Sequence, residues 1–335
     1  MTRRRRLALL IGLAGVTLLL APLIGARVIS PVLIFDPDGP GTAFEVFWQI
    51  RVPRALMGFM AGSALAASGL AFQALFRNPL ATPFTLGVSS GASLGAAAYI
   101  GLGLIGSLGG PYGLSLFALA GAALSIALVY GLTRVRRRLS TATMLLAGVA
   151  MSFCFSSVIL FLQYTADFAN SFGIVRWLMG GLEVVGYEAM LLVAPFAVGG
   201  ILIILCMSSE LDLLTAGEDL AASRGVDVRR ARGIIFFAAS LMVGGVVARC
   251  GPIGFVGMMA PHICRLLIGW EHRFLAPATI AFGGAFLVIC DTAARTIIAP
   301  VEIPVGVITA MLGGPFFLWL LVSRPAESFC ESGGR

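Results

Sequence analysis

Apolar residues arrive along this chain in successive blocks of about 20, separated by short polar stretches, and a block of that length crosses the ~30 Å hydrocarbon core as a helix. The pattern predicts spans at 7–26, 54–75, 84–105, 113–133, 142–163, 188–207, 232–250, 254–269, 275–296 and 305–322. The expected fold class is an all-α membrane protein, a single polytopic domain over 1–335 with ten transmembrane helices and both termini on one face. Two segments bear on that topology. Arg3 to Arg6 followed by apolar 7–26 has the order of a signal peptide, but the run exceeds the usual 7–15 residues of an h-region, which favours a retained first span. The block 254–269 is short and carries Pro261, His262 and Arg265; without it the C-terminus changes face.

Within the spans, Gly58/Gly62 and Gly87/Gly91/Gly95 recur at spacing four, which lets helix backbones approach closely. Between them, two polar stretches stand out. In 211–228, Thr215 stands three residues before Glu218 in the order of a capping box, and Gly225 followed by Val226 reads as a left-handed stop with its apolar follower. A short helix outside the membrane is expected there, either docking a partner or lying as a plain surface helix. The other stretch, Arg77-Asn78-Pro79-Leu80-Ala81-Thr82-Pro83, reads as a rigid turn.

Composition agrees with the pattern. Apolar residues make up 59% of the chain and charged residues 12%, against about 25% charged in a soluble domain. The net charge of +7 comes with arginine as the sole basic residue type apart from two histidines. The arginines sit in short clusters between apolar blocks, the pattern that orients a membrane protein and not that of a nucleic-acid binder. Most fall on the face bearing the termini, which marks it as cytoplasmic. Arg27, Arg51, Arg54, Arg176, Arg249 and Arg295 fall on or near the other face and require another reason.

With no lysine there is no GxxxxGK[ST] phosphate loop, so any ATP that drives this protein binds to another chain. The cysteines Cys154, Cys206, Cys250, Cys264, Cys290 and Cys330 show no CxxC spacing and read mostly as small buried hydrophobes. No metal site is expected: His262 and His272 are too isolated for a ligand set. Asp291 lies in an apolar block one helical turn before Arg295. An ionised aspartate at the bilayer centre costs about 2.5–3.5 kcal/mol, which favours an intramembrane ion pair over direct substrate contact.

Several blocks then resemble one family in order: Arg51-Val52-Pro53-Arg54, Gly69-Leu70-Ala71-Phe72-Gln73, the 77–83 turn, Leu86-Gly87-Val88-Ser89-Ser90-Gly91-Ala92, the segment 217–226, Gly251-Pro252-Ile253-Gly254-Phe255-Val256-Gly257, Ala260-Pro261-His262-Ile263-Cys264-Arg265 and Glu302-Ile303-Pro304-Val305-Gly306. The chain is similar, from about Gln49 to Leu321, to the FecCD permeases of type II ABC importers for vitamin B12, ferric siderophores and haem. The resemblance implies a homodimer with the path on its two-fold axis, two cytoplasmic ATP-binding subunits carrying ATP and Mg, and a periplasmic substrate-binding protein, all at a bacterial inner membrane. The permease itself is then not an enzyme and holds no cofactor.

By the same resemblance, Thr215, Glu218, Asp219, Ala221, Ala222, Arg224 and Gly225 belong to the segment that couples to the ATPase. Arg51, Arg54 and Arg295 match positions that receive acidic residues of the binding protein, with headgroup anchoring as the alternative. Ser140, Thr141 and Thr143 match a cytoplasmic gate, with helix capping by Ser140 or Thr141 as the alternative. The cargo expected is an iron chelate, with cobalamin or haem as alternatives. A proton-coupled secondary transporter is the rival of another class, and it fits less well because Asp291 is the one convincing mid-segment acid.

Overall fold

A computed structural model describes residues 2–25, 34–36, 42–82, 84–104, 108–135 and 141–323. Arg27, Pro83, Ser140 and Cys330 therefore lie outside the described residues. Every regular element among those described is helical. In chain order they are α1 (Arg3–Leu20), α2 (Val52–Phe76), α3 (Val88–Gly101), α4 (Gly113–Val135), α5 (Thr141–Thr165), α6 (Phe168–Leu178), α7 (Glu188–Cys206), α8 (Ser208–Ala216), α9 (Glu218–Ser223), α10 (Val228–Cys250), α11 (Val256–Ile268), α12 (His272–Thr296) and α13 (Val305–Ser323), with a π-helical turn Val46–Arg51 leading into α2. Among the described residues, seven helices are long and apolar enough to cross a membrane, those of α1, α2, α4, α5, α7, α10 and α12.

Of the other three expected spans, α13 covers its expected stretch with 19 residues, whereas α3 and α11 differ in kind. The helices α3 and α11 have 14 and 13 residues, about 20 Å at 1.5 Å per residue, short of the ~30 Å core. Each is preceded by irregular backbone. The backbone before α3 is held inside protein: Ser125 donates to the Gly87 carbonyl at 2.7 Å, and Thr82 and Thr85 bond to each other. Before α11, Gly251 takes φ +66° and Phe255 φ +66°. Non-helical backbone at membrane depth survives where neighbouring helices, not lipid, surround it. One further helix, α6, occupies a stretch expected as a connection. Asp167 caps it, accepting from the Asn170 N–H at 2.8 Å.

The centre of the bundle is the antiparallel pair α2 and α12. Almost the whole of α2 is buried, from Pro53 to Phe76. Small residues permit this: a Cβ at Gly62 would run into the Gly283 carbonyl, and one at Gly69 into the Gly257 carbonyl of α11. Backbones in van der Waals contact supply the packing that lipid-facing helices cannot obtain from the hydrophobic effect. The helix α1, by contrast, leans on α12 and leaves most of its surface outward. Its N-terminus is tied to the α11–α12 junction, with Arg3 Nη1 2.9 Å from Glu271 Oε2 and Arg6 donating to the Leu267 carbonyl at 2.8 Å.

Candidate functional site

Two polar assemblies lie at opposite ends of α2 and α12. At the end formed by the start of α2 and the end of α12, Arg54 places Nε 3.1 Å from both carboxylate oxygens of Asp291 and Nη2 2.9 Å from Oδ1. Its Nη1 donates to Glu302 at 2.7 Å. The Asp291 carboxylate also meets Arg295 Nε at 3.1 Å, across one turn of α12. Asp291 is 2% exposed and Arg54 and Arg295 7% each, so the set is two guanidiniums and one carboxylate inside the protein, completed at its edge by half-exposed Glu302. Charges balance, which is the condition for burying them. Arg51 is also buried and donates to the carbonyls of Pro22 and Leu23 at 3.3 and 3.4 Å.

Arg51, Arg54 and Arg295, the positions that by resemblance receive acidic residues of a binding protein, are all buried. All three are held by carbonyls or carboxylates of their own chain. Exposed at this end are, among others, Arg176 with Glu183, 2.6 Å apart, and Glu302. These line an open cavity of 560 Å³, walled by the 179–183 and 301–305 segments. The backbone there is tightly interlocked: the Gly181 N–H donates to the Cys250 carbonyl at 2.8 Å and Gly306 N–H to the Gly180 carbonyl at 3.2 Å. A Cβ at Gly306 would strike the Met179 carbonyl, so this close approach requires glycine.

At the opposite end the polypeptide forms an elbow of two short helices, α8 and α9, where one capped helix was expected. Gly217 joins them at φ 150°, ψ 146° and is itself the N-cap of α9. The capping box is corrected accordingly. Thr215 lies in α8 and donates back to the Leu211 carbonyl at 2.7 Å, while Glu218 reaches Arg232 of α10 at 2.6 Å. The C-terminal stop does form: Gly225 takes φ +83° and Val226 N–H donates to the Ala221 carbonyl at 3.0 Å. Ala221 is fully buried, whereas Asp219, Ala222, Arg224 and Gly225 are exposed. One side of α9 thus packs inward and the other is presented outward.

The elbow is bonded to the two central helices. Arg77, in the left-handed conformation at the end of α2, donates Nε to the Leu214 carbonyl at 2.9 Å. Asp212 accepts from the backbone N–H of His272 at 3.0 Å, and the same oxygen lies 2.6 Å from Nδ1 of that ring. Motif reading missed both links, because neither Asp212 nor His272 belongs to a local pattern. Of the gate residues, Ser140 lies outside the described residues, Thr141 opens α5 and Thr143 is half-buried. No group of three or more His, Cys, Asp or Glu suited to a metal ion occurs among the described residues.

A helical membrane body with an ionic cluster at one end and a bonded helical elbow at the other, and without a phosphate loop of its own, is built as a transport permease. The model of the FecCD transport family matches residues 5–323, and the chain belongs to that family, as the permease of an ABC importer. It is 41% identical over 309 residues, 91% of each chain, to the vitamin B12 import system permease BtuC of Escherichia coli O139:H28. It is 40% identical over 282 residues to the ABC transporter permease YvrB of Bacillus subtilis, covering 84% of this chain and 79% of that one. A metal-chelate type ABC transporter solved in an inward-facing conformation superposes with a TM-score of 0.83 at 30% identity, over 96% of this chain and 100% of the other.

Proposed function

We propose that this chain, paired with a second copy of itself, forms the membrane passage of an ATP-driven importer whose cargo is vitamin B12 or a related corrinoid. The observation that carries the cargo is the 41% identity with a vitamin B12 permease over nine-tenths of both chains. A ferric siderophore is the second reading, supported by the likeness to a metal-chelate transporter.

Two ATPase subunits seat the exposed side of α9, through Asp219, Ala222 and Arg224, and the elbow passes their movement to α2 through Arg77 and to α12 through Asp212. A substrate-binding protein docks over the opposite face, where Arg176, Glu183 and Glu302 are accessible; Arg51, Arg54 and Arg295 act from beneath by holding that face in shape. Pairing of two copies is supported by α5, where Leu146, Phe153 and Leu160 recur every seven residues and are 65–72% exposed, the spacing of a helix seam. Thr143 at the start of α5 belongs to the inner gate. The elbow lies on the arginine-rich face, which we place in the cytoplasm of a bacterial inner membrane, together with the N-terminus tied to it through Arg3 and Glu271.

Co-reconstitution with a partner ATPase and binding protein, followed by uptake of labelled cobalamin, ferric siderophores and haem, tests the cargo. Uptake of cobalamin alone supports the first reading; uptake of a ferric siderophore alone replaces it with the second.

A further inference from the structure

Near the elbow, α4, α7 and α10 leave between them an open groove of 620 Å³ that no contact described so far uses. Its mouth carries Arg229 and Arg230, in the first turn of α10, both exposed and with no side-chain partner among the described residues. Neighbouring Arg232 is engaged by Glu218, and the acid nearest the mouth, Asp227, is turned to the Arg230 backbone N–H at 3.0 Å. Among the described residues, no acid occupies the two guanidiniums, which are open to an anion.

Below the mouth the lining is apolar and faces outward from the bundle. Phe237 and Leu241 are 37% and 42% exposed, and Tyr130 forms the facing wall. Between mouth and wall lies Gly233, where an added Cβ would meet nothing within 4 Å. From Arg229 to Leu241 a helix rises about 18 Å, close to the ~15 Å depth of one leaflet's hydrocarbon. A charged entrance leading to an apolar trough of one leaflet's depth has the chemistry of a phospholipid, with phosphate at the arginines and an acyl chain along the trough.

We propose that this groove binds an anionic phospholipid from the leaflet adjoining the arginine-rich face. The inference requires only that α10 crosses the membrane and does not depend on the cargo. Because Arg232 ties α9 to the same turn of α10, an occupied groove also braces the root of the elbow.

Native mass spectrometry of the detergent-purified full chain, titrated with phosphatidylglycerol and phosphatidylcholine of matched acyl chains, tests the site. The expected result is roughly tenfold more bound phosphatidylglycerol, near parity in R229Q/R230Q, and reduced binding of both lipids in G233W, whose indole fills the trough. The arginine pair makes no side-chain bonds among the described residues, so its variant reports on the lipid whether or not G233W folds. Equal binding of the two lipids by the wild-type chain, or an unchanged preference in R229Q/R230Q, would overturn the proposal. So would loss of bound phosphatidylglycerol on adding millimolar inorganic phosphate, which would identify a free-anion site, or unchanged lipid binding by a folded G233W that no longer assembles with the ATPase, which would identify a protein-docking groove.

Discussion

Arg54 and Asp291, 237 positions apart in the chain, are joined by three hydrogen-bond contacts of 2.9–3.1 Å inside the protein. The helices that carry them, α2 and α12, are also the two that the elbow holds at the other end, through Arg77 and through His272. Glycine contacts lock the two helices together between those ends. The elbow and the ionic cluster are thus joined by one continuous pair of packed helices.

Removing one partner of a buried ion set leaves an uncompensated charge at a cost of about 3–5 kcal/mol, whereas replacing both with apolar residues of similar volume is often neutral. D291L, which leaves both Arg54 and Arg295 buried without their shared carboxylate, is expected to lower the thermal midpoint of the purified permease sharply, and R54L/D291L/R295L to recover much of the loss. Detergent thermal unfolding followed by tryptophan fluorescence measures this. A triple variant less stable than D291L contradicts the pairing.

Gly62 and Gly199 give opposite expectations for the same change. A methyl group at Gly62 meets the Gly283 backbone, and overpacking of this kind costs about 1–3 kcal/mol. At Gly199, inside α7, a methyl group meets nothing within 4 Å, and alanine in a helix interior gains about 0.5–1 kcal/mol over glycine. G62A should melt lower than the wild type and G199A no lower; the same assay decides.

On α9, residues on the two sides should separate by phenotype. Ala221 is fully buried, so A221E is expected to reduce folded yield. Asp219 and Arg224 are exposed, so D219R/R224E should leave yield and melting unchanged while lowering ATP-dependent uptake about tenfold or more. Size-exclusion profiles and proteoliposome uptake measured together distinguish the two classes.

The Asp212–His272 link predicts uncoupling. In D212N the oxygen that receives the His272 N–H persists but its charge does not; in D212A both are gone. ATP hydrolysed per cargo imported should rise in D212A, with D212N intermediate. A ratio unchanged in D212A would remove this contact from the coupling route.

The long apolar helices were legible in the sequence because 20-residue hydrophobic runs have few other structural outcomes, and the resemblance carried the family. The ionic cluster was half legible: Asp291 and Arg295 are one turn apart, but Arg54 and Glu302 join them only through packing that no local pattern encodes. Burial of Arg51, Arg54 and Arg295 was not legible for the same reason. The elbow was read as one helix because Thr215 and Glu218 have capping-box spacing; Gly217, which breaks the helix between them, was the signal passed over. In α3 and α11 apolar composition continues into irregular backbone, so hydropathy overstated helix length. Asp167, followed by the periodic apolar residues of α6, was a helix start that could have been found.

The central claim is that this permease moves cargo with energy delivered at its elbow by a separate ATPase. The most direct test is cargo uptake into proteoliposomes holding the permease and its partner ATPase at constant internal Mg-ATP, with and without a protonophore, and with a non-hydrolysable ATP analogue. The account predicts uptake that persists with the protonophore and stops with the analogue; uptake abolished by the protonophore while ATP is maintained would contradict it.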